Sequence, residues 1–192
     1  FAQLHLPGEV ASTSAEASGE LSRFDGYLSG QLGEHIEGVG PLATILLRTE
    51  SASSSQIENI TVGARQIAMA AIDQHASPNA KLVSANARAT HRARELADHI
   101  NITTILAMHN ALLGPSDPHN AGRLRAQQVW IGGSGTGPHH AVFVPPHHTR
   151  VEDALVDLIA FIDRDDIPAL AKAAIAHAQF ETIHPFTDGN GR

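Results

Sequence analysis

The stretch from Ile167 to His184, IPALAKAAIAHAQFETIH, constrains the fold more than any other part of this chain. Leu170, Ala174 and Ala178 form one row at helical spacing, and Ala171, Ile175 and Ala178 form the adjacent row. Only Lys172 and Glu181 carry formal charge along its body. A helix apolar on most sides belongs at the centre of a bundle. Asp166 is placed to cap it, and Pro168 in the first turn loses no hydrogen bond. Pro185 acts at the other end, because a residue before proline is pushed out of the α region. His184 is therefore expected at the rim of a rigid, buried helix, where a side chain can be aimed.

Composition agrees with a helical core. Aromatic residues make up 4% of the chain while alanine is abundant, which favours close-packed helices over a β-sandwich. At 192 residues, 42% hydrophobic and 17% charged, the chain reads as globular and long enough for one domain with a helical extension. Its formal charge of −7 offers no basic stripe, so no nucleic-acid binding is expected through this region. Zero cysteines exclude disulfides and thiolate metal sites. No apolar run approaches membrane-spanning length, and the start FAQLHLPGEV lacks a basic-plus-apolar signal. A cytoplasmic protein without a membrane partner is the default expectation. The chain does not begin with methionine, so it is expected to be trimmed from a longer one.

Residues 1–12 read as an irregular arm. Leu21, Phe24 and Leu28, three and four apart, mark an amphipathic helix from Ser14 to about Leu32. Gly38, Gly40 and Pro41 interrupt it, and LATILL resumes as helix. Serines ahead of Ile57, Ile60, Val62, Ile67, Met69 and Ile72 place a new helix start near Ser53–Ser55, and Ser77-Pro78-Asn79 ends that helix. ANARATHRARELADHI and TTILAMHNALL (Thr103–Leu113) give two more helices, and GPSDPHNAG is a loop. QVWIGG and AVFVPP differ from everything before them. Both are short, rich in Val, Ile, Phe and Trp, and separated by the turn-forming SGTGPHH, so a β-hairpin is expected there. VEDALVDLIAFI and the apolar helix described first complete the chain.

Directly after that helix stands HPFTDGNGR, His184 to Arg192. Gly189-Asn190-Gly191 can turn backbone N–H groups towards one point, an anion nest. Arg192 adds a planar fork suited to phosphate oxygens. Asp188 offers a hard carboxylate, which beside phosphate usually implies Mg²⁺. His184 is left as proton acceptor. Together these groups suit phosphoryl or nucleotidyl transfer. Taken singly, each is commoner as structure: Asp-Gly-Asn-Gly is an ordinary turn, and no P-loop signature is present.

HPFTDGNGR resembles the signature of the Fic family, H-P-F-x-D/E-G-N-G/K-R, at every defined position. AHAQFETIHPF is similar to the helix entering that motif, and QQVWIGG with AVFVPP to the family's flap. The resemblance implies a mainly α fold: a Fic-type helical bundle with one small β-hairpin flap, preceded by a helical N-terminal extension. The extension would occupy residues 1–100 and the core 101–192, incomplete at its C-terminal end. It further implies transfer of AMP from ATP to a Ser, Thr or Tyr hydroxyl of a target protein. On that resemblance His184 takes the proton from the attacking hydroxyl and Asp188 holds Mg²⁺. Gly189, Asn190 and Gly191 form the anion hole, Arg192 binds phosphate oxygens, and Phe186 anchors the loop. The flap residues His140, Ala141, Val142, Phe143 and Val144 would hold the target segment by strand addition.

Ser54-Ser55-Gln56-Ile57-Glu58-Asn59 is similar to the family's inhibitory pattern S/T-x-x-x-E-G/N, with Ser54 and Glu58 on one helical face. The resemblance implies that Glu58 obstructs productive ATP binding. Ser55-x-x-Glu58 is also a capping box, and both roles can hold together. The family signature usually continues to a second arginine, so the natural protein is expected to extend past Arg192. Within the family's range lie removal of AMP, with Glu58 positioning water, and a kinase-like transfer. An inactive scaffold acting as a regulatory or binding module is the alternative of another class. Self-association into a homo-oligomer is compatible with each. His139-His140 and His147-His148 sit in loops with no completing ligand and are expected to be exposed histidines rather than a zinc site. Arg125 is expected to face the target or nucleotide, or to be solvated or paired with a carboxylate. Trp130 and Phe143 are expected to pack beneath the hairpin.

Overall fold

The computed structural model describes residues 4–32, 40–57, 61–70, 76–96, 99–133 and 137–191. The fold is mainly helical. Helices α1 (Gly8–Leu32), α2 (Gly40–Ile57), α3 (Ala64–Ala70) and α4 (Pro78–Leu96) come first. They are followed by α5 (Ile102–Leu113), α6 (Val151–Ile162) and α7 (Ala169–Ile183). Short 3₁₀ turns occupy Pro138–His140 and His148–Arg150. Among the described residues no helix is long and apolar enough to cross a membrane.

Local chemistry explains several of these boundaries. The Asn101 side chain accepts from the Thr104 N–H at 3.0 Å, and the Thr104 hydroxyl accepts from the Asn101 N–H at 2.8 Å. This reciprocal box satisfies two donors that open α5. Glu152 and Asp153 stand in the first turn of α6, where the helix dipole favours negative charge. The apolar faces of α5, α6 and α7 then meet around Ile105, Val151, Leu155, Leu158, Ile183 and Phe186. A second cluster of Ala89, Leu112, Leu113 and Ala121 joins α4 to α5. A third, Phe161, Ile167 and Ala171, is partly covered by Leu4 and Leu6.

The N-terminal half departs from the sequence expectation in three places. The arm becomes helical at Gly8, where the Ala11 N–H donates to Pro7 O and Glu9 sits favourably in the first turn. Of the three residues expected on one face of α1, Leu21 and Phe24 are 57% and 61% exposed and only Leu28 is partly buried. The start expected at Ser53–Ser55 is instead the end of α2. Ser55 is fully buried and its hydroxyl donates to Ser51 O at 2.7 Å. Asn86 Nδ2 on α4 donates to Ser51 O at 3.2 Å and to Ser55 Oγ at 3.3 Å. Burial of this serine pair against a partner amide outweighs its capping preference, so Ser55 is not an N-cap.

Helix α7 is less central than its composition suggests. Ala171 and Ile183 are buried and Phe180 partly so, whereas Leu170, Ala174 and Ala178 face outwards. Its packing partners α6 and α1 cover one side. Asp166 does not cap it: the carboxylate accepts from Arg164 Nε at 2.9 Å and Nη2 at 2.7 Å, and Pro168 stands at the cap position. A charge-assisted fork outcompetes a single backbone donor.

The hairpin contracts to one antiparallel bridge, Ile131 with Phe143, and no strand forms among the described residues. Ile131 N–H donates to Phe143 O and Val142 N–H to Ile131 O, both at 2.8 Å. Gly132 and Gly133 follow at once with φ of 73° and 82°, turning the chain out of the ladder. On the other segment Pro145 and Pro146 have no N–H with which to extend it. Trp130 and Phe143 are exposed at the rim rather than packed beneath it.

Candidate functional site

The end of α7 builds the site. His184 is its C-cap, with its N–H donating to Phe180 O at 2.9 Å. Pro185 forbids a further α-helical residue, and His184 adopts φ 50° and ψ 63°. It is the one non-glycine residue with positive φ among those described. That conformation costs about 1–3 kcal/mol and persists where surroundings enforce it. Here a buried arginine does so: Arg125 Nε donates to His184 O at 2.8 Å, Nη2 reaches Ile183 O at 3.3 Å, and the Arg125 N–H donates to Pro185 O at 2.9 Å. Burial pulls the Arg125 guanidinium below the ordinary arginine value. The His184 ring is half-buried, its Nδ1 lying 3.9 Å from Glu181 Oε2.

The loop beyond is pinned from inside. Pro185 and Phe186 are buried. The Phe186 N–H donates to Asn190 Oδ1 at 2.9 Å, and Asn190 Nδ2 donates to Phe186 O at 3.0 Å. From α5, His109 stacks on Phe186, and its Nε2 lies 3.0 Å from Asp188 O. His109 Nδ1 accepts from the Gly122 N–H at 3.0 Å. The network therefore assigns a neutral imidazole with its proton on Nε2. Gly189 holds φ 81°, and a Cβ there would stand 3.2 Å from Leu112 Cδ2. Its N–H donates to the exposed Asp188 carboxylate at 2.7 Å.

A profile of the Fic/DOC family matches residues 99–192, the span that holds this loop, its pins and the bridge. Residues 99–192 form a Fic domain.

Two protein adenylyltransferases illustrate the relationship. Protein adenylyltransferase fic-1 of Caenorhabditis elegans is 39% identical over 98 residues, covering 50% of this chain and 18% of that protein. Protein adenylyltransferase Fic of Nematostella vectensis is 32% identical over 96 residues, covering 50% and 21%. The chain thus spans about a fifth of the length of these relatives. Among solved structures, a Fic family protein from Desulfovibrio desulfuricans superposes with a TM-score of 0.72 at 22% identity. That superposition covers 98% of this chain and 55% of the other. Fic-1 from C. elegans gives 0.56 at 24% identity over 85% of this chain and 56% of the other. At those identities the likeness is one of fold.

Within the Fic domain, His184, Asp188, Gly189, Asn190 and Gly191 come together on one turn. The Asn190 side chain is committed to Phe186. Arg192 and Glu58 lie outside the described residues, and of Ser54 only the main chain, in the last turn of α2, is described. His140 closes a 3₁₀ turn, Phe143 makes the bridge, and Val142 is 85% exposed beside it. Two residues gain importance. Arg125 is neither solvated nor carboxylate-paired, since its guanidinium meets main-chain carbonyls. His109 carried a readable signal: it sits four after Ile105 and three before Leu112, a polar group on the buried stripe of α5.

Proposed function

We propose that this Fic domain is the catalytic part of a protein adenylyltransferase that moves AMP from ATP to a Ser, Thr or Tyr hydroxyl of a target protein. Residues 101–192 serve as the core and residues 1–100 as a helical extension carrying the inhibitory pattern. The observation that carries this reading is the turn after α7, which holds His184 and Asp188 on a loop pinned by Phe186 and Asn190. Relatives named protein adenylyltransferase support it.

In this reading the His184 imidazole accepts the proton of the attacking hydroxyl. The hydroxyl oxygen forms a bond to the α-phosphorus of ATP, the bond to the bridging oxygen breaks, and pyrophosphate leaves. The N–H groups of Gly189, Asn190 and Gly191 receive the charge that builds on the α-phosphoryl oxygens, and Arg192 adds a cation. The pinned loop sets the main chain of Asn190 and Gly191 in advance, whereas the Gly189 N–H donates to the Asp188 carboxylate and serves the nucleotide once that carboxylate turns away. The edge at Val142 and Phe143 offers main-chain groups to an extended target segment.

Mg²⁺ fits the residues present. Asp188 is an exposed hard carboxylate, and the described residues contain no group of three His, Asp or Glu side chains that would hold a metal by themselves. Mg²⁺ in nucleotide sites commonly takes one or two carboxylates, with phosphates and water supplying the rest. When bound with ATP it neutralises phosphate charge.

Inhibition by Glu58 belongs to the same reading. The last turn of α2, which carries Ser54 and leads to Glu58, is fastened to α4 through Asn86, Ser51 and Ser55. Such an anchor suits a segment that must return to one place. A cytoplasmic location accompanies this proposal.

The test uses full-length protein with Mg²⁺ and ATP labelled at the α- or the γ-phosphate. Label from α-ATP is expected on the protein itself or on a lysate protein, weakly at first and more strongly for Glu58→Gly. His184→Ala is expected to abolish it. Persistence of label in His184→Ala would remove His184 from the chemistry, and transfer of γ-label alone would replace AMP transfer with phosphorylation.

A further inference from the structure

We propose that Arg125 is the positioning residue that joins the flap to His184, so that seating a target segment and aiming the proton acceptor are one event. This rests on the transfer reaction proposed above. Arg125 is 4% exposed. Its guanidinium spans three segments. Nε meets His184 O at 2.8 Å and Nη2 meets Ile183 O at 3.3 Å, at the end of α7. Nη2 also meets Pro146 O at 2.5 Å, where the flap segment ends, and Nη1 meets Gln127 O at 3.0 Å, where the chain enters the flap.

Two of these acceptors, Pro146 O and His184 O, are the ones that matter for the coupling. Pro146 has no N–H, so its carbonyl is the one main-chain group it can offer to a tether. His184 is in the left-handed region, and its carbonyl belongs to the peptide that turns into Pro185. Fixing that carbonyl fixes the peptide plane, and with it ψ of the residue that carries the imidazole. The Arg125 N–H holds the next carbonyl, Pro185 O, at 2.9 Å. The geometry also explains why the residue is arginine. Five donors in a rigid fork can serve carbonyls on different sides of one plane, whereas the three donors of a lysine radiate from a single nitrogen.

Gln128 provides an internal contrast. Its Nε2 donates to Pro145 O at 2.8 Å, a flap tether in which no α7 residue takes part. Removing Gln128 should therefore loosen the flap alone, while altering Arg125 should loosen both the flap and the turn at His184.

The experiment compares wild type, Arg125→Lys and Gln128→Ala in the full-length protein by amide hydrogen exchange, ATP binding and α-label transfer. In Arg125→Lys, exchange at the Val142 and His184 amides is expected to accelerate together. ATP affinity should stay within about threefold, while kcat falls by about 100-fold, as misplacement of a reacting group by an ångström can produce. In Gln128→Ala only the Val142 amide should accelerate. Native-state exchange of wild type is a measurement that survives failure of a variant to fold: the two amides should share one opening free energy and one denaturant dependence. Independent opening of the two amides, or loss of ATP affinity in step with kcat, would overturn the inference. Absence of α-label transfer in wild type would instead sink the AMP-transfer reading, and the exchange data would still decide whether Arg125 couples the two elements.

Discussion

The imidazole of His109 lies flat on the ring of Phe186, centroids 3.6 Å apart and planes 3° from parallel. One ring comes from α5 and the other from the motif loop, so the stack fixes the loop's inner face to the helix that precedes it by more than seventy residues. Both ring nitrogens are occupied as well, by Asp188 O and by the Gly122 N–H.

His109→Phe therefore separates stacking from hydrogen bonding. It keeps an aromatic face for Phe186 and leaves Asp188 O and the Gly122 N–H without their partner. Each of these partly buried hydrogen bonds contributes about 0.5–1.5 kcal/mol. A drop of that order in unfolding free energy from urea titration is expected, with an unchanged m-value. No drop would mean that water replaces both bonds and that the stack is the whole contribution.

Asn190 makes a second prediction because its amide is used at both ends. Oδ1 accepts from the Phe186 N–H and Nδ2 donates to Phe186 O. Asn190→Asp retains the acceptor, loses the donor, and sets a carboxylate oxygen against a carbonyl. It should lower stability by about 1–3 kcal/mol at neutral pH. Asn190→Ala loses both bonds and should be worse still. Thermal melts of the two variants beside wild type check the ranking, and equal melting temperatures for all three would show that the Asn190 amide does not hold the loop.

These pins were only partly legible in the sequence. Phe186 and the glycines could be placed because their neighbours in the chain define their work: Pro185 stops a helix, and Gly189 turns a loop. Helices α5 and α6 were legible through periodicity alone, since their apolar faces repeat at three and four. The roles of Arg125 and His109 depend on partners 59 and 79 residues away, and no local pattern encodes those distances. The serines of α2 misled for a related reason. Ser55 has cap chemistry in sequence, but a buried amide on α4, 31 residues later, decides its environment. The flap was overestimated because β-branched residues signal a strand, while Gly132, Gly133 and two prolines limit it to one bridge.

Asn86 supplies a third prediction from that joint. Its Nδ2 serves Ser51 O and Ser55 Oγ in a buried contact between α4 and α2. Asn86→Ala should destabilise by about 1–3 kcal/mol, from the loss of two buried hydrogen bonds at about 0.5–1.5 kcal/mol each. Hydrogen exchange should show the loss concentrated in the last turns of α2, with α5 to α7 protected as before. Uniform loss across all helices would show that the joint has no local identity.

Gly189 makes the fourth. Its φ of 81° is in the region that favours glycine, and a Cβ would sit 3.2 Å from Leu112 Cδ2. Gly189→Ala should cost about 1–2 kcal/mol from the left-handed backbone alone. Gly189→Ala combined with Leu112→Ala tests whether steric contact adds to that. If crowding matters, the double variant should be more stable than the sum of the two single changes predicts.

The last prediction concerns acid. The hydrogen bond from Arg164 holds the Asp166 carboxyl below the usual carboxylate range, and the same pair raises Arg164. The group is exposed, so its contribution is screened and small. Its sign is nevertheless fixed. A carboxyl whose value is depressed on folding stabilises the fold above its unfolded value of about 3.9 and loses that contribution as pH falls through the lower folded value. Asp166→Asn should therefore melt slightly below wild type at pH 7, with the gap closing as pH falls below about 4. Raising salt at pH 7 should narrow the same gap. A difference between the two proteins that stayed constant from pH 7 to pH 2 would show that Asp166 acts through packing or the α7 start, and not through its charge.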